Sequence, residues 1–356
     1  MLAFIARRIL VAIPLLLVVS LVCFALTALL PDPAITRLGQ HATAKNVEAF
    51  HRAKGLDDPF LTRYGRFVAE ATGVHLRGEP PFVSFSAPLR FGEDIVKDDG
   101  STIGDAIRER FPKTFELALV AMLVATLLGL VAGSLGAVFP RKAVDWVAQV
   151  FAVVGSSVPV FWLGFMASLY FAVELAWLPH PDWKLRVLAP GREGREYATN
   201  FYLLESLLGG HVSAFLRALR HIALPGLVLS TIPLAVVTRM TRSTMLEELG
   251  RDYIRTARAK GVVETRVVSR HAMRNALIPI VTVTGLQTGA LLGGAVLTET
   301  VFAWPGLGRY VADGVRAGNG PLVVAGVFTF AATFVVVNLV VDILYHAIDP
   351  RLRRGS

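Results

Sequence analysis

Asp252–Pro279 reads DYIRTARAKGVVETRVVSRHAMRNALIP, a basic, helix-forming segment between two long apolar runs. Asp252–Lys260 consists of good helix formers, and Gly261 is placed to stop that helix. A second helix is expected over Glu264–Ala276, with Arg266, Arg270 and Arg274 at four-residue steps in one stripe. Pro279 is expected to begin the next apolar run. Ala257 and Gly261 are i,i+4 neighbours with Ala259 nearby, a face small enough for another backbone to approach closely. Arg255, Arg258 and Lys260 flank it and suit acidic or carbonyl groups. Charge runs are usually solvated faces. The segment alone therefore leaves two readings, a solvated loop or a polar platform held at a membrane surface for a partner to grip.

The surrounding chain decides for a membrane. It has 356 residues, 54% hydrophobic and 18% charged, with mean hydropathy +0.55, too apolar for an ordinary soluble protein. A bilayer core takes about 20 apolar residues per helix, and six uncharged runs approach that length: 9–30, 117–140, 146–173, 222–238, 275–298 and 321–341. The fourth is short and needs completing at either end. Continuous apolar runs disfavour a β-barrel, which alternates, so an all-α integral membrane protein with six transmembrane helices is expected.

The net charge of +9 is unevenly placed. Region 239–274 carries nine basic residues against four acidic ones, whereas 31–113 balances twelve against twelve. Arg7–Arg8, Arg141–Lys142 and Arg351, Arg353 and Arg354 supply the other basic clusters. Counting spans puts all of them on one side, which the positive-inside rule makes cytoplasmic, with both termini inside. The pI near 10 is then a topology signal, and nucleic-acid binding is not expected. The lone Cys23 excludes a disulfide within the chain and reads as an apolar packing residue. The first run is longer than a signal core and is followed by Pro31-Asp32-Pro33, so an uncleaved first helix is favoured.

Between the first two runs, helices are expected at Ala44–Lys54, opened by Thr43, and at Pro59–Thr72. Gly73–Gly100 reads as loop or short strands, and Ser101–Glu109 as a short helix capped by Ser101 or Thr102. In the second outside stretch, Trp177 suits the interface, Pro181–Asn200 reads as irregular, and Phe201–Leu208 and Val212–Leu219 as amphipathic surface helices.

Tyr253-Ile-Arg-Thr-Ala-Arg-Ala-Lys-Gly261, followed by Arg270-His-Ala-Met-Arg-Asn-Ala276 and Pro279, closely resembles the cytoplasmic coupling loop of permease subunits in binding-protein-dependent ABC importers, in the oligopeptide/dipeptide/nickel branch. The likeness extends over nearly the whole chain. It includes Gly55-Leu-Asp-Asp-Pro59, Phe111-Pro-Lys-Thr-Phe-Glu-Leu-Ala118, Ser157-Val-Pro-Val-Phe-Trp162, Thr298-Glu-Thr-Val-Phe302 before Pro305-Gly-Leu-Gly308, and Asp349-Pro350-Arg351. Arg255-Thr-Ala257 stands where the wider importer consensus has Glu-Ala-Ala, the variant typical of the peptide branch. Val74–Arg90 departs from the branch's short Gly-Asp-rich pattern.

The resemblance implies a type I ABC importer permease (MetI-like) fold with an extra extracytoplasmic segment after helix 1. It divides into residues 1–112, the first helix and that segment, and 113–356, a permease core of five helices with a coupling loop at 239–277. The implied coupling residues are Tyr253, Arg255, Thr256, Ala257, Arg258, Ala259, Lys260, Gly261, Arg270, His271, Arg274 and Asn275. The implied setting is a bacterial inner membrane. The implied partners are a second, homologous permease, two ABC ATPases carrying ATP and magnesium, an extracytoplasmic binding protein, and membrane lipid. Peptides are the expected cargo, with nickel, glutathione-like or sugar ligands as alternatives.

The chain itself has no phosphate-cradling G-x-x-x-x-G-K-[ST] loop, no H-E-x-x-H and no zinc-spaced Cys/His cluster, so neither an enzyme nor a metal site is expected. Gly133-Ser-Leu-Gly136 reads as a helix-packing element. An ion-coupled secondary transporter, the rival reading, needs ionisable groups near mid-membrane, and the six runs contain none. Among the polar residues of the spans, Ser156, Ser157, Gln287, Thr288 and Asn338 are candidates for lining a path.

Overall fold

The computed structural model describes residues 2–76, 83–85, 89, 91, 101–179 and 199–348. In chain order the helices are α1 Leu2–Leu26, α2 Pro33–Leu38, α3 Ala44–Lys54, α4 Phe60–Thr72, α5 Ile103–Val138, α6 Ala143–Ser157, α7 Val160–Ala167, α8 Tyr202–Leu208, α9 Val212–Leu249, α10 Asp252–Ala259, α11 Glu264–Arg266, α12 Met273–Val301, α13 Leu307–Arg316 and α14 Gly320–Ile348. Wide π-type turns continue α7 through Ser168–Glu174 and join α11 to α12 over Val267–Ala272. A two-stranded antiparallel ribbon, β1 Val74–Leu76 and β2 Val83–Phe85, pairs His75 with Ser84. Pro181–Asn200, expected to be irregular, lies almost entirely outside the described residues, as does the Asp349-Pro350-Arg351 motif.

Among the described residues, five helices are long and apolar enough to cross a membrane: Leu10–Leu29, Ile103–Val138, Val212–Leu249, Glu264–Gly293 and Gly320–Leu344. The expected run 146–173 is not one straight helix. Ala143–Ser157 and Val160–Glu174 meet at 103°. Pro159 is the cause. Proline disfavours α geometry in the residue before it, and Val158 is extended (φ −81°, ψ 129°).

Three other expectations are corrected. The short helix at Ser101–Glu109 is only the first turns of α5, which runs on through Pro112. Val212–Leu219 is not a surface helix. It opens the 38-residue α9, which also completes the short fourth run. Glu264–Ala276 is not a discrete second helix, because it merges through the wide turn into α12 and leaves Pro279 inside that helix. In the first and third cases the sequence offers proline as the stop, yet the helix continues. A membrane helix whose lost backbone bond is re-satisfied nearby tolerates proline.

The chain forms two compact units. The first comprises 1–114, 197–200 and 305–333. Its core joins Phe24 of α1, Phe67 of α4, Phe91, Ile103 and Ile107 of α5, Leu307 and Val311 of α13, and Leu322 at the start of α14. Phe24 makes edge contacts with Phe60 and Tyr64, and Phe67 stacks on Phe91. Side-chain caps match the sequence expectations. Thr43 accepts from the Asn46 N–H at 3.4 Å, and Thr102 accepts from the Asp105 N–H at 3.1 Å. Thr114 Oγ1 accepts from the Leu307 N–H at 2.8 Å and so caps α13 across the fold. Gly318 has φ +70°, and a Cβ there would lie 2.0 Å from the Pro31 carbonyl oxygen, a position open to glycine alone.

The second unit comprises 115–196, 201–304 and 334–356, with α9 as its hub; α6, α7, α8 and α12 pack on it. A Cβ on Gly129 would meet Val237 at 2.8 Å. One on Gly133 would meet the Thr238 carbonyl oxygen and Thr241 Cβ, both at 2.6 Å. The Gly133–Gly136 element thus brings two helix backbones together, as expected of small residues in membrane helices. At the end of this crossing Asp145, almost fully buried, takes a forked pair of bonds from Arg242, Nε–Oδ1 2.5 Å and Nη2–Oδ2 2.8 Å. It also accepts from the Arg141 N–H at 2.9 Å and from Gln149 at 2.8 Å. Glu116 accepts from three successive N–H groups of Tyr202, Leu203 and Leu204 at 3.0, 2.7 and 3.2 Å, supplying the first turn of α8 with a negative charge from 86 residues away.

Replacing Gly133 with leucine should force α5 off α9 and cost about 3 kcal/mol, read as a lowered unfolding midpoint of the purified chain in detergent. Gly293→Ala, where nothing lies within 4 Å, should change stability by no more than about 0.5 kcal/mol.

Candidate functional site

The polar ends of α9 and α12 hold between them the segment that opened the sequence reading. α9 ends at Leu249, and α10 follows Arg251 directly. Ile254 turns its side chain fully inward, and Met245, Val267, Ala272 and Ala276 are buried likewise. α10 packs on the wide turn 267–272, which itself packs on α9 and α12. The segment is therefore a folded platform with its own apolar underside. A solvated loop would have no such underside to bury.

The end of α10 is built as the sequence required. The Gly261 N–H bonds to the Arg258 carbonyl at 2.9 Å and the Val262 N–H to the Ala257 carbonyl at 3.2 Å, with Gly261 at φ +74°. This pair of bonds around a left-handed residue is the Schellman stop. Arg258 then grips Glu264 with both arms of its guanidinium, Nε–Oε2 3.0 Å and Nη2–Oε1 2.6 Å, fastening α10 to α11 across the glycine. The Arg258 charge is thus spent inside the chain.

Tyr253 is the second fastening. Its hydroxyl donates to Glu248 Oε2 at 2.5 Å, accepts from Asn275 Nδ2 at 2.9 Å and lies 3.4 Å from the His271 carbonyl oxygen. One phenol thereby ties α9, α10, the wide turn and α12. Burial, and then the Glu248 carboxylate, raise its pKa above the ordinary phenol value, so it stays a neutral donor at physiological pH.

The outer surface carries the remaining expected residues. Arg255 pairs with Asp252 at 3.4 Å, and Thr256 returns its hydroxyl to the Asp252 carbonyl. Ala259, Lys260 and Gly261 are exposed, Ala257 is half-buried, and a Cβ on Gly261 would meet nothing within 4 Å. Arg266, Arg270 and Arg274 are all exposed, and with Lys260 they have no ion-pair partner among the described residues. Of the expected residues 253–275, Tyr253, His271 and Asn275 are brought together by hydrogen bonds, while Lys260, Arg270 and Arg274 are exposed on the same folded segment. Glu248 and Glu264, which brace that segment, escaped the sequence reading. Glu264 had a local signal, an acid just beyond the helix stop from Arg258. Glu248 had one too, lying five residues before Tyr253.

The five candidates for lining a path lie on three helices, α6, α12 and α14. Ser156 and Ser157 sit beside the helix break, and their hydroxyls return to the Ala152 and Val153 carbonyls of their own helix. Gln287 and Thr288 are half-buried on α12, and Thr288 bonds back to the Thr284 carbonyl. Half-buried Asn338 lies at their level on α14, because the Cβ positions of Gly285 and Gly289 would strike Val341 and Phe334. No group of three or more His, Cys, Asp or Glu among the described residues is arranged to hold a metal.

Residues 125–354 match the family described as binding-protein-dependent transport system inner membrane component, and residues 1–118 match its N-terminal membrane-component family. The chain is 42% identical over 356 residues to the di/tripeptide transport system permease protein DppB of Pseudomonas aeruginosa, covering 99% of each. It is 38% identical over 359 residues to the dipeptide transport system permease protein DppB of Alkalihalophilus pseudofirmus, covering 99% of this chain and 100% of the relative. It is 35% identical over 354 residues to the glutathione transport system permease protein GsiC of Escherichia coli, covering 99% of each.

Tyr253→Phe should keep the fold but remove the shared hydroxyl. The expected cost is about 1–2 kcal/mol, seen as faster amide hydrogen exchange across 252–275 with exchange in α5 unchanged.

Proposed function

The chain belongs to the family of inner membrane components of binding-protein-dependent transport systems and is a multi-pass permease, not an enzyme; from that premise we propose that it carries peptides and that the 252–276 platform is where ATP hydrolysis is coupled to their movement. The peptide cargo is supported by the dipeptide and di/tripeptide permeases at 38–42% identity over essentially full length. The glutathione transport system permease is also similar at full length.

Two ATPases, holding ATP and magnesium, grip the platforms of this chain and of a second, similar permease from the cytoplasmic side, where both termini also lie. ATP binding draws the platforms together, the cavity opens outward to a docked, loaded binding protein, and hydrolysis returns it. Such a cycle needs contacts that differ between the two states. One observation carries the coupling role: an exposed set of cations, Lys260, Arg266, Arg270 and Arg274, unpaired among the described residues and mounted on a platform braced to two spanning helices. Because Tyr253 and Arg258 lock α10 to α9, α11 and α12, a push on the small patch at Ala257 and Gly261 is transmitted to the helices. A loose loop would absorb it. Arg255 and Ala259 lie on the same outer face, and His271 and Asn275 hold its inner edge.

The test separates backbone strain from contact. Gly261→Asn keeps a residue that tolerates φ > 0 and should retain most uptake. Gly261→Arg fills the open patch and should abolish both ATP-driven dipeptide uptake and the ATPase stimulation by loaded binding protein in reconstituted vesicles, with normal membrane insertion. Full uptake by Gly261→Arg would refute the coupling role.

A further inference from the structure

The first unit contains a cavity of about 310 Å³ that the transport cycle leaves unused. Its floor is aromatic, formed by Phe24, Phe67 and Phe91, and its rim carries Lys54, Arg63, Arg66 and Glu70. The depth of this cavity is set by α4. Tyr64 bonds to Ser20 Oγ at 2.9 Å and to the Leu17 carbonyl at 3.1 Å, and its ring lies against Phe24. α4 therefore runs beside the Leu10–Leu29 span from its middle, at Leu17 and Ser20, to Phe24 nearer its end, and Pro321, at the start of the last span, closes the same cavity. Phe24, five residues before the end of the first span, and Pro321, one residue into the last, set the cavity itself near the ends of both spans, toward the level where hydrocarbon gives way to headgroups. Leu61 and Phe60 of α4 are exposed there, as expected of a helix lying in an interface.

The charges around the rim are not equivalent. Arg66 is held by Asp58, and its guanidinium lies so near Gly55 that a Cβ would come within 2.7 Å. Arg63 and Glu70 have no ion-pair partner among the described residues. They share the α4 stripe of Phe67, at i, i+4 and i+7. The Arg63 guanidinium is fixed 5.7 Å above the Phe24 ring. One unpaired cation and one unpaired anion, facing a common apolar-floored cavity at headgroup depth, match a ligand that bears both signs.

We propose that this cavity is a binding site for a zwitterionic phospholipid headgroup of the phosphatidylethanolamine type. The phosphate sits on Arg63 with Lys54 nearby, the primary ammonium sits on Glu70, and the glycerol and upper acyl carbons lie on the phenylalanines. The volume falls within the range of small-ligand pockets, and a guanidinium suits phosphate geometrically. The bound lipid would tie the extracytoplasmic segment to the membrane surface, a role independent of the coupling platform.

Native mass spectrometry of the full-length chain, titrated in detergent with defined lipids, tests this. The unmodified chain should retain one phosphatidylethanolamine about tenfold more tightly than phosphatidylcholine, whose quaternary amine offers Glu70 no N–H. It should also prefer it about tenfold over phosphatidylglycerol, which has no amine. Glu70→Gln should erase the preference for phosphatidylethanolamine over phosphatidylglycerol, and Arg63→Gln should weaken both about tenfold. Equal binding of the three lipids to the unmodified chain would overturn the proposal, and that result needs no variant to fold. Phosphatidylethanolamine binding unmoved by Arg63→Gln would overturn it too. Inorganic phosphate alone displacing the lipid at equal affinity would assign the site to free phosphate and overturn the lipid reading.

Discussion

A peptide group facing hydrocarbon has no water to turn to, so each N–H and C=O in a span must find its partner inside the protein. Within α9, which runs on past Pro225 and Pro233, the Ser230 and Thr231 hydroxyls keep their bonds inside the helix, donating to the Leu227 and Val228 carbonyls one turn back. Beside the break at Val158–Pro159, Ser156 and Ser157 likewise donate to the Ala152 and Val153 carbonyls of their own helix. Among the polar residues of the spans, these serines and threonines serve the backbone of their own helix.

With lipid tails as apolar as the side chains, helices gain little by hiding leucine from them, and close packing has to hold them together. Gly129 and Gly133 supply it on α5, and Gly285 and Gly289 on α12. The Asp145–Arg242 fork then pins the α6–α9 end in one geometry. Removing either partner would leave a charge with little water to replace it. In the proposed cycle, rigid helices joined to the platform through Tyr253 and Arg258 would pass a push on it to packed elements that move as bodies.

The sequence was most legible where one residue type has one structural use. Gly261 after a run of helix formers announced the stop of α10, and Gly55 and Thr43 bounded α3 as expected. The small Gly133–Gly136 element declared itself as a helix contact. The same reasoning misjudged Ser101–Glu109, Glu264–Ala276 and 146–173, because proline has two outcomes. Pro112 and Pro279 sit inside continuing helices, whereas Pro159 turns the chain by 103°. Which outcome occurs depends on whether neighbouring helices and hydroxyls re-satisfy the freed carbonyl, and that information lies elsewhere in the chain.

Composition and local pattern determined that this chain lives in a membrane, roughly where it crosses, and that a basic platform with a glycine stop stands between two spans. These follow from the hydrophobic length of a bilayer and from the backbone freedom of glycine, both readable residue by residue. Only the tertiary structure decided which charges are free. Arg258 is consumed by Glu264 and Arg242 by Asp145, 97 residues away, while Lys260, Arg266, Arg270 and Arg274 have no ion-pair partner among the described residues, and Glu116 caps a helix 86 residues further on. An ion pair or a cap in trans depends on where two distant segments come to lie in space, and no window of sequence contains that distance.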